Sequence, residues 1–205
     1  MARRSDHNRS ELKAMAIEAG LEIIINDGLN ALSTRKISKK IGYTVGTLYN
    51  IFKNLDDLIG QINLGTITKM VKAIMAQNSL NMTREEELFQ FGYNYISFAY
   101  NNFNRWNALF LHQIPEGSKL PDKNFEHFLE LHSYLVRTIL KIDKFSEDDA
   151  KLHSKILWSS VHGICILGIT QKIQSDSEAH LHFMLKSLVN TQIIGMKQIL
   201  SKRNS

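Results

Sequence analysis

The sequence predicts an all-α chain of nine helices: an N-terminal three-helix helix-turn-helix unit followed by a C-terminal helical domain. Three observations carry this. The 205 residues include just two prolines, Pro115 and Pro121, so helix breakers are nearly absent. Apolar residues recur at helical spacing from Leu12 to Ile199. Several of the periodic runs open on Ser, Thr or Asn with an acidic residue three places on, the arrangement that caps a helix start.

Residues 1–8, "MARRSDHN", read as a frayed polar terminus. The first helix runs from about Arg9 to Asp27, with Leu12, Met15, Ala16, Ala19, Ile23 and Ile24 at helical spacing and Gly28 as a left-handed stop. Ser33 caps a short second helix whose inner residues are Ile37 and Ile41, and Gly42 ends it. Thr44 caps a third, reaching about Phe52. Asn54 caps a long fourth helix, Asp57 completes its capping box, and Leu55 to Ile74 carry it to about Gln77.

Thr83 and Glu86 box a fifth helix rich in aromatic residues. Trp106, Leu109 and Phe110 mark a short sixth. The loop "IPEGSKLP" holds both prolines. Asp122 opens a seventh helix reaching about Lys141, Ser146 with Asp149 caps the eighth, and the ninth runs from near Ser177 to about Leu200.

Composition narrows the function. At 43% hydrophobic and 22% charged the chain is an ordinary globular protein. Cys165 is the lone cysteine, which excludes an intrachain disulfide and a cysteine-rich zinc site. The N-terminus lacks signal-peptide character, and no apolar run nears the roughly 18 residues of a membrane span, so a cytoplasmic protein without a membrane partner is expected. The net charge of +5 is mild, but its distribution is uneven. Between Ser33 and Lys53 stand Arg35, Lys36, Lys39, Lys40 and Lys53, with no acidic residue among them.

Short helix, glycine turn, short helix describes a helix-turn-helix, whose second helix enters the major groove of DNA with its N-terminal residues. In "IGYTVGTLYNIFKN" Gly42 makes the turn, and Thr44, Val45, Gly46 and Thr47 form the leading turn of that helix. A residue without a side chain at 46 lets the backbone approach a phosphate or base edge. The two threonines offer hydroxyls, and Val45 suits a thymine methyl. Lys53 can pair with a phosphate, and Thr34 and Arg35 open the preceding helix on the same side.

The stretch "GLNALSTRKISKKIGYTVGTLYNIFKNLDDLI" resembles the DNA-binding region of TetR-family transcriptional regulators. Gly28, Thr34, Ile37, Gly42, Gly46, Tyr49, Phe52, Asn54 and Leu58 carry the likeness, Thr34 one residue off the family spacing. The resemblance implies DNA contacts from Thr34, Arg35, Thr44, Val45, Gly46, Thr47, Tyr49, Asn50 and Lys53. Tyr43 is larger than the small aliphatic usual there. Ile51 replaces a polar or aromatic phosphate contact, so none is carried over. The resemblance also implies a division into a DNA-binding domain, 1–54, and a ligand-binding and dimerisation domain, 55–205, in a repressor released from a palindromic operator by a small molecule.

The C-terminal segment "LWSSVHGICILG" resembles the tryptophan-histidine-glycine signature of one TetR subgroup. It is apolar nearly all round, as is a helix buried on several sides. Paired with the ninth helix it suits a four-helix homodimer interface formed by the last two helices of each chain. Tyr95, Trp106, Phe110, Trp158 and His162 are the candidate lining of a cavity for a small, partly apolar effector. No catalytic residue, cofactor or metal site is expected: the histidine spacings put no two rings on one helical face, and Cys165 beside His162 reads as packing. Two other readings fit less well: a regulator with a filled core and no ligand, and a small-molecule-binding protein or enzyme with a vestigial DNA module.

Overall fold

The computed structural model describes residues 7–76, 81–113, 122–174 and 177–203, the side chains of 122–125 excepted. The expected loop "IPEGSKLP" lies outside the described residues. Within them are nine α-helices and no strand: α1 (Arg9–Asp27), α2 (Thr34–Ile41), α3 (Val45–Tyr49), α4 (Leu55–Met75), α5 (Arg84–Asn101), α6 (Phe103–Leu111), α7 (Asp122–Leu140), α8 (Glu147–Ile169) and α9 (Glu178–Arg203), with a 3-10 turn at Leu29–Ala31.

The starts follow the capping signals. Thr83 Oγ1 accepts from Glu86 N–H at 3.2 Å while Glu86 Oε2 accepts from Thr83 N–H at 2.7 Å, a reciprocal box. Ser146 Oγ accepts from Asp149 N–H at 3.1 Å. At α4 Asn54 Oδ1 accepts from Asp57 N–H at 2.8 Å, but the Asp57 carboxylate returns to Lys53 N–H at 2.9 Å, one residue earlier than the standard box.

Three expectations need correction. Residues 7 and 8 are not frayed: Asn8 forms a full capping box with Glu11, and His7 Nδ1 meets the Tyr43 hydroxyl at 2.9 Å. The third helix ends at Tyr49, not Phe52. There the chain tightens to an i→i−3 bond, Ile51 N–H to Leu48 O at 2.9 Å, as Phe52 turns into the core. And α8 is, among the described residues, long and apolar enough to cross a membrane. Its Ala150, Ser154, Leu157, Val161, Cys165 and Gly168 are buried within the fold, and the core helix of a soluble protein passes the same test of length and composition.

The chain forms two compact units. The first comprises residues 1–69 and 102–125. Its core is Ala16, Ala19, Ile23 and Ile24 of α1, Ile37 of α2, Leu48 of α3, Phe52, and Leu58, Ile59 and Ile62 of α4. Ala108 of α6 closes it, and Asn104 ties α6 to α1 by donating to Ile25 O at 2.8 Å. Burying each of the Ile, Leu and Phe side chains contributes about 1.5–3 kcal/mol.

The second unit comprises 70–101 and 126–205. In it α5 packs on α9 and α8, and α8 on α9. Gly92 lets α5 and α9 close up: a Cβ there would stand 2.5 Å from Leu185 Cδ1. Aromatic rings fill the centre, with Phe91 stacked on Tyr134 at 5.8 Å and edge-on to Trp158 at 6.2 Å.

Candidate nucleic-acid interface and ligand pocket

The recognition element is built from both of its ends. Gly42 ends α2 in the left-handed conformation, φ 76°, where a side chain would be strained. Thr44 then caps α3: its Oγ1 accepts from Thr47 N–H at 3.2 Å and lies 3.0 Å from Thr47 Oγ1. Leu48 and Phe52, 1% and 2% exposed, anchor the element from beneath. Ile51 packs half-buried against the same core, which accounts for an aliphatic residue where a phosphate contact was looked for.

With that anchoring, the outer face carries the sequence candidates. Arg35, Thr44, Gly46, Asn50 and Lys53 are exposed, and Thr34, Val45 and Thr47 are half-buried. Tyr49 is 54% exposed, so its ring is not core packing. A Cβ on Gly46 would meet nothing nearer than Thr44 Oγ1 at 3.7 Å, so the fold itself does not require glycine there. Of the five basic residues from Ser33 to Lys53, Lys40 is engaged with Glu22 at 2.7 Å. Arg35, Lys36, Lys39 and Lys53 stay solvent-exposed on a segment without acids.

The five ligand candidates are divided. Trp106 and Phe110, with ring centroids 5.3 Å apart, belong to the first unit. Tyr95, Trp158 and His162 belong to the second, where Tyr95 hydroxyl and His162 Nδ1 are 2.8 Å apart and the Tyr95 and Trp158 rings 4.9 Å. Tyr95 and Trp106 are fully buried. Burial lowers the His162 pKa, favouring the neutral ring, and raises that of the Cys165 thiol, which keeps it protonated and unreactive.

Of these five, Trp158 lines a pocket of about 280 Å³ between α7 and α8. Phe128, Leu129 and Leu135 form its other apolar walls, and His132, Lys155 and Ser159 its polar ones. Leu129, His132, Leu135, Lys155 and Ser159 are not among the residues to which the sequence pointed. The available signal was Lys155 at i, i+3 and i, i+4 to Trp158 and Ser159, which sets all three on one face of α8.

Residues 16–62 match the family model of bacterial regulatory proteins, tetR family, and residues 88–188 match the tetracyclin repressor-like C-terminal domain. The chain belongs to the TetR family. The first match contains all nine DNA candidates and the second all five ligand candidates. TetR-family proteins are DNA-binding transcription regulators, and this chain is one of them. An HTH-type transcriptional regulator of Bacillus subtilis (strain 168), YobS, is 22% identical over 189 residues, 91% of this chain and 95% of that protein. Solved structures share the TetR fold at lower identity. A protein of unknown function from Rhodococcus sp. RHA1 superposes with a TM-score of 0.73 at 14% identity, covering 95% of this chain and 98% of that one. The transcriptional regulator FadR of Bacillus subtilis, solved in complex with stearoyl-CoA, gives 0.62 at 17% identity over 89% of this chain and 96% of its own.

Proposed function

We propose that this TetR-family regulator is a cytoplasmic homodimeric repressor, released from a palindromic operator by a small, partly apolar effector. The observation that carries the DNA reading is the exposed leading turn of α3, capped by Thr44 and opened by a glycine that the fold does not need. In this reading Thr44, Thr47, Tyr49 and Lys53 hold phosphates, with Thr34 and Arg35 alongside from α2. Gly46 brings the helix backbone close, and Val45 and Asn50 meet base edges. Residues 1–54 act as the DNA-binding domain and 55–205 as the ligand-binding and dimerisation domain, two chains pairing through α8 and α9.

The effector part of the reading is supported by the α7–α8 pocket and by a FadR neighbour whose own ligand is an acyl-CoA. An effector that binds one orientation of α4 better than another shifts the spacing of the two recognition helices. Without that differential affinity nothing moves. The complete burial of Tyr95 and Trp106 favours the rival reading, a regulator with a filled core and no effector.

Selection and sequencing of genomic fragments bound by the full chain, repeated across salt concentrations, tests the proposal. The expected result is one palindromic sequence whose half-sites lie about one helical turn apart, with affinity falling steeply as salt rises. Retention of fragments with no shared sequence would remove the regulator's proposed operator.

A further inference from the structure

We infer that the α7–α8 pocket binds an amphipathic organic anion, an apolar tail among its walls and a carboxylate held at its mouth by Lys155 and Ser159. The inference rests on the reading of the chain as effector-responsive and adds the chemical class of the effector.

The walls from Phe128, Leu129, Leu135 and Trp158 are apolar, and among the described residues no carboxylate lines the pocket. Its volume of about 280 Å³ has room for on the order of nine groups the size of a water, which suits a medium-length alkyl tail. Lys155 is exposed and, among the described residues, makes no ion pair. Lys151, one turn earlier, is paired with Glu147 at 2.6 Å. The two lysines thus differ in the respect that matters: one cation is neutralised within its own helix, the other is left at the edge of an apolar hollow. A charge beside low-dielectric walls attracts its opposite more strongly than it would in open water. Ser159 follows Lys155 by one turn, so an ammonium and a hydroxyl can meet one carboxylate group.

The third polar wall residue is arranged consistently. Ser154 donates its hydroxyl proton to Lys151 O at 2.9 Å, so at its 3.1 Å contact with His132 Nδ1 it accepts. His132 therefore carries its proton on Nδ1. Burial, followed by the charges of Lys155 and Lys151, disfavours the imidazolium. With Lys151 paired to Glu147, Lys155 is the positive charge left beside the pocket, which an anion meets and a cation is repelled by.

The test is calorimetric titration of the full chain with decanoate, decanol and decyltrimethylammonium, three probes that share a tail and differ in head group. Decanoate is expected to bind about tenfold or more tighter than the other two. Lys155→Met, at an exposed position, should erase that preference, decanoate then binding the variant no tighter than decanol does. Ser159→Trp, which obstructs the mouth, should weaken all three. Equal binding of the three probes, no binding of decanoate, or a Lys155→Met chain that binds decanoate as before would each overturn the anion site. Retention of operator DNA, measured in the same samples, separates this inference from the reading beneath it. Lys155-dependent decanoate binding that leaves DNA bound supports the site and overturns effector control. DNA release by a chemically different compound, with decanoate unbound, overturns the site and preserves effector control.

Discussion

At the scale of single residues the proposed DNA face separates demands of folding from demands of binding. Gly42 is required by the fold, since its φ of 76° is a conformation that L side chains rarely adopt. Gly46 is not, since its nearest would-be neighbour is at an ordinary 3.7 Å. Gly46→Ala should accordingly keep or raise stability, by about 0.5–1 kcal/mol, because alanine is the better helix residue. It should nonetheless weaken DNA binding by about tenfold or more, by holding the helix backbone off the duplex. Thermal unfolding and fragment retention, measured on the same preparation, check both halves, and unchanged DNA affinity would mean the backbone makes no close approach there. Thr47→Ala is a second case. Thr44 caps α3 through the Thr47 N–H, which alanine keeps, so stability should stay within about 0.5 kcal/mol of the parent. With that hydroxyl on a phosphate, affinity should fall by about 1 kcal/mol for selected and scrambled duplexes alike, and a loss confined to the selected duplex would move Thr47 to a base edge.

At the scale of elements, the close pairing of α5 with α9 depends on Gly92 lying against Leu185, a fully buried side chain. Gly92→Val should force the two helices apart and destabilise the chain by about 1–3 kcal/mol, visible as a lower urea midpoint at similar slope. An unchanged midpoint would show that Leu185 has room to repack. The same scale shows how far the sequence could be read. Helix starts were legible because the information is local: Thr83 with Glu86, and Ser146 with Asp149, satisfy backbone donors within one turn. The end of α3 was not. It depends on Phe52 entering a core made by α1, α2 and α4, which no local pattern encodes. The outward face of α3 was legible because α3 and its turn are contiguous in sequence. The α7–α8 pocket was not, because it needs His132 and Lys155 brought together from separate helices. Nor could spacing divide Trp106 and Phe110 from Tyr95, Trp158 and His162, since a core aromatic and a pocket aromatic share the same period.

At the scale of the whole molecule two properties follow. The second unit holds three histidines, His132, His162 and His182, whose pKa values are all lowered, burial being the largest cause each time. The unfolded chain, with imidazoles near 6.5, therefore binds more protons than the fold once pH drops through about that value. Their contribution is complete above that pH and is lost as pH falls towards the lowered values. The urea midpoint should be lower at about pH 5.5 than at about pH 7.5, and a midpoint independent of pH would mean that these rings are not held neutral. The other property is assembly. In the single chain α8 exposes Leu152, Ile156 and Leu167, and α9 exposes Phe183 and Ile194, the phenylalanine to 71%. Gly163 falls on the α8 stripe, and a Cβ there would have open space around it, whereas one on Gly168 would run into Leu181 of the same chain. A glycine that faces outward between exposed aliphatics admits the close approach of another helix. A two-fold axis through this face doubles every contact, so one substitution acts twice and a new charge meets its own copy. Ile156→Asp with Phe183→Asp changes two exposed positions and should leave helix content and unfolding of the chain nearly as before. For the proposed homodimer, sedimentation should report a dimer for the parent and a monomer for the variant, and affinity for the proposed palindrome should drop to that for a half-site. A double variant that still sediments as a dimer would place the interface on another face of the chain.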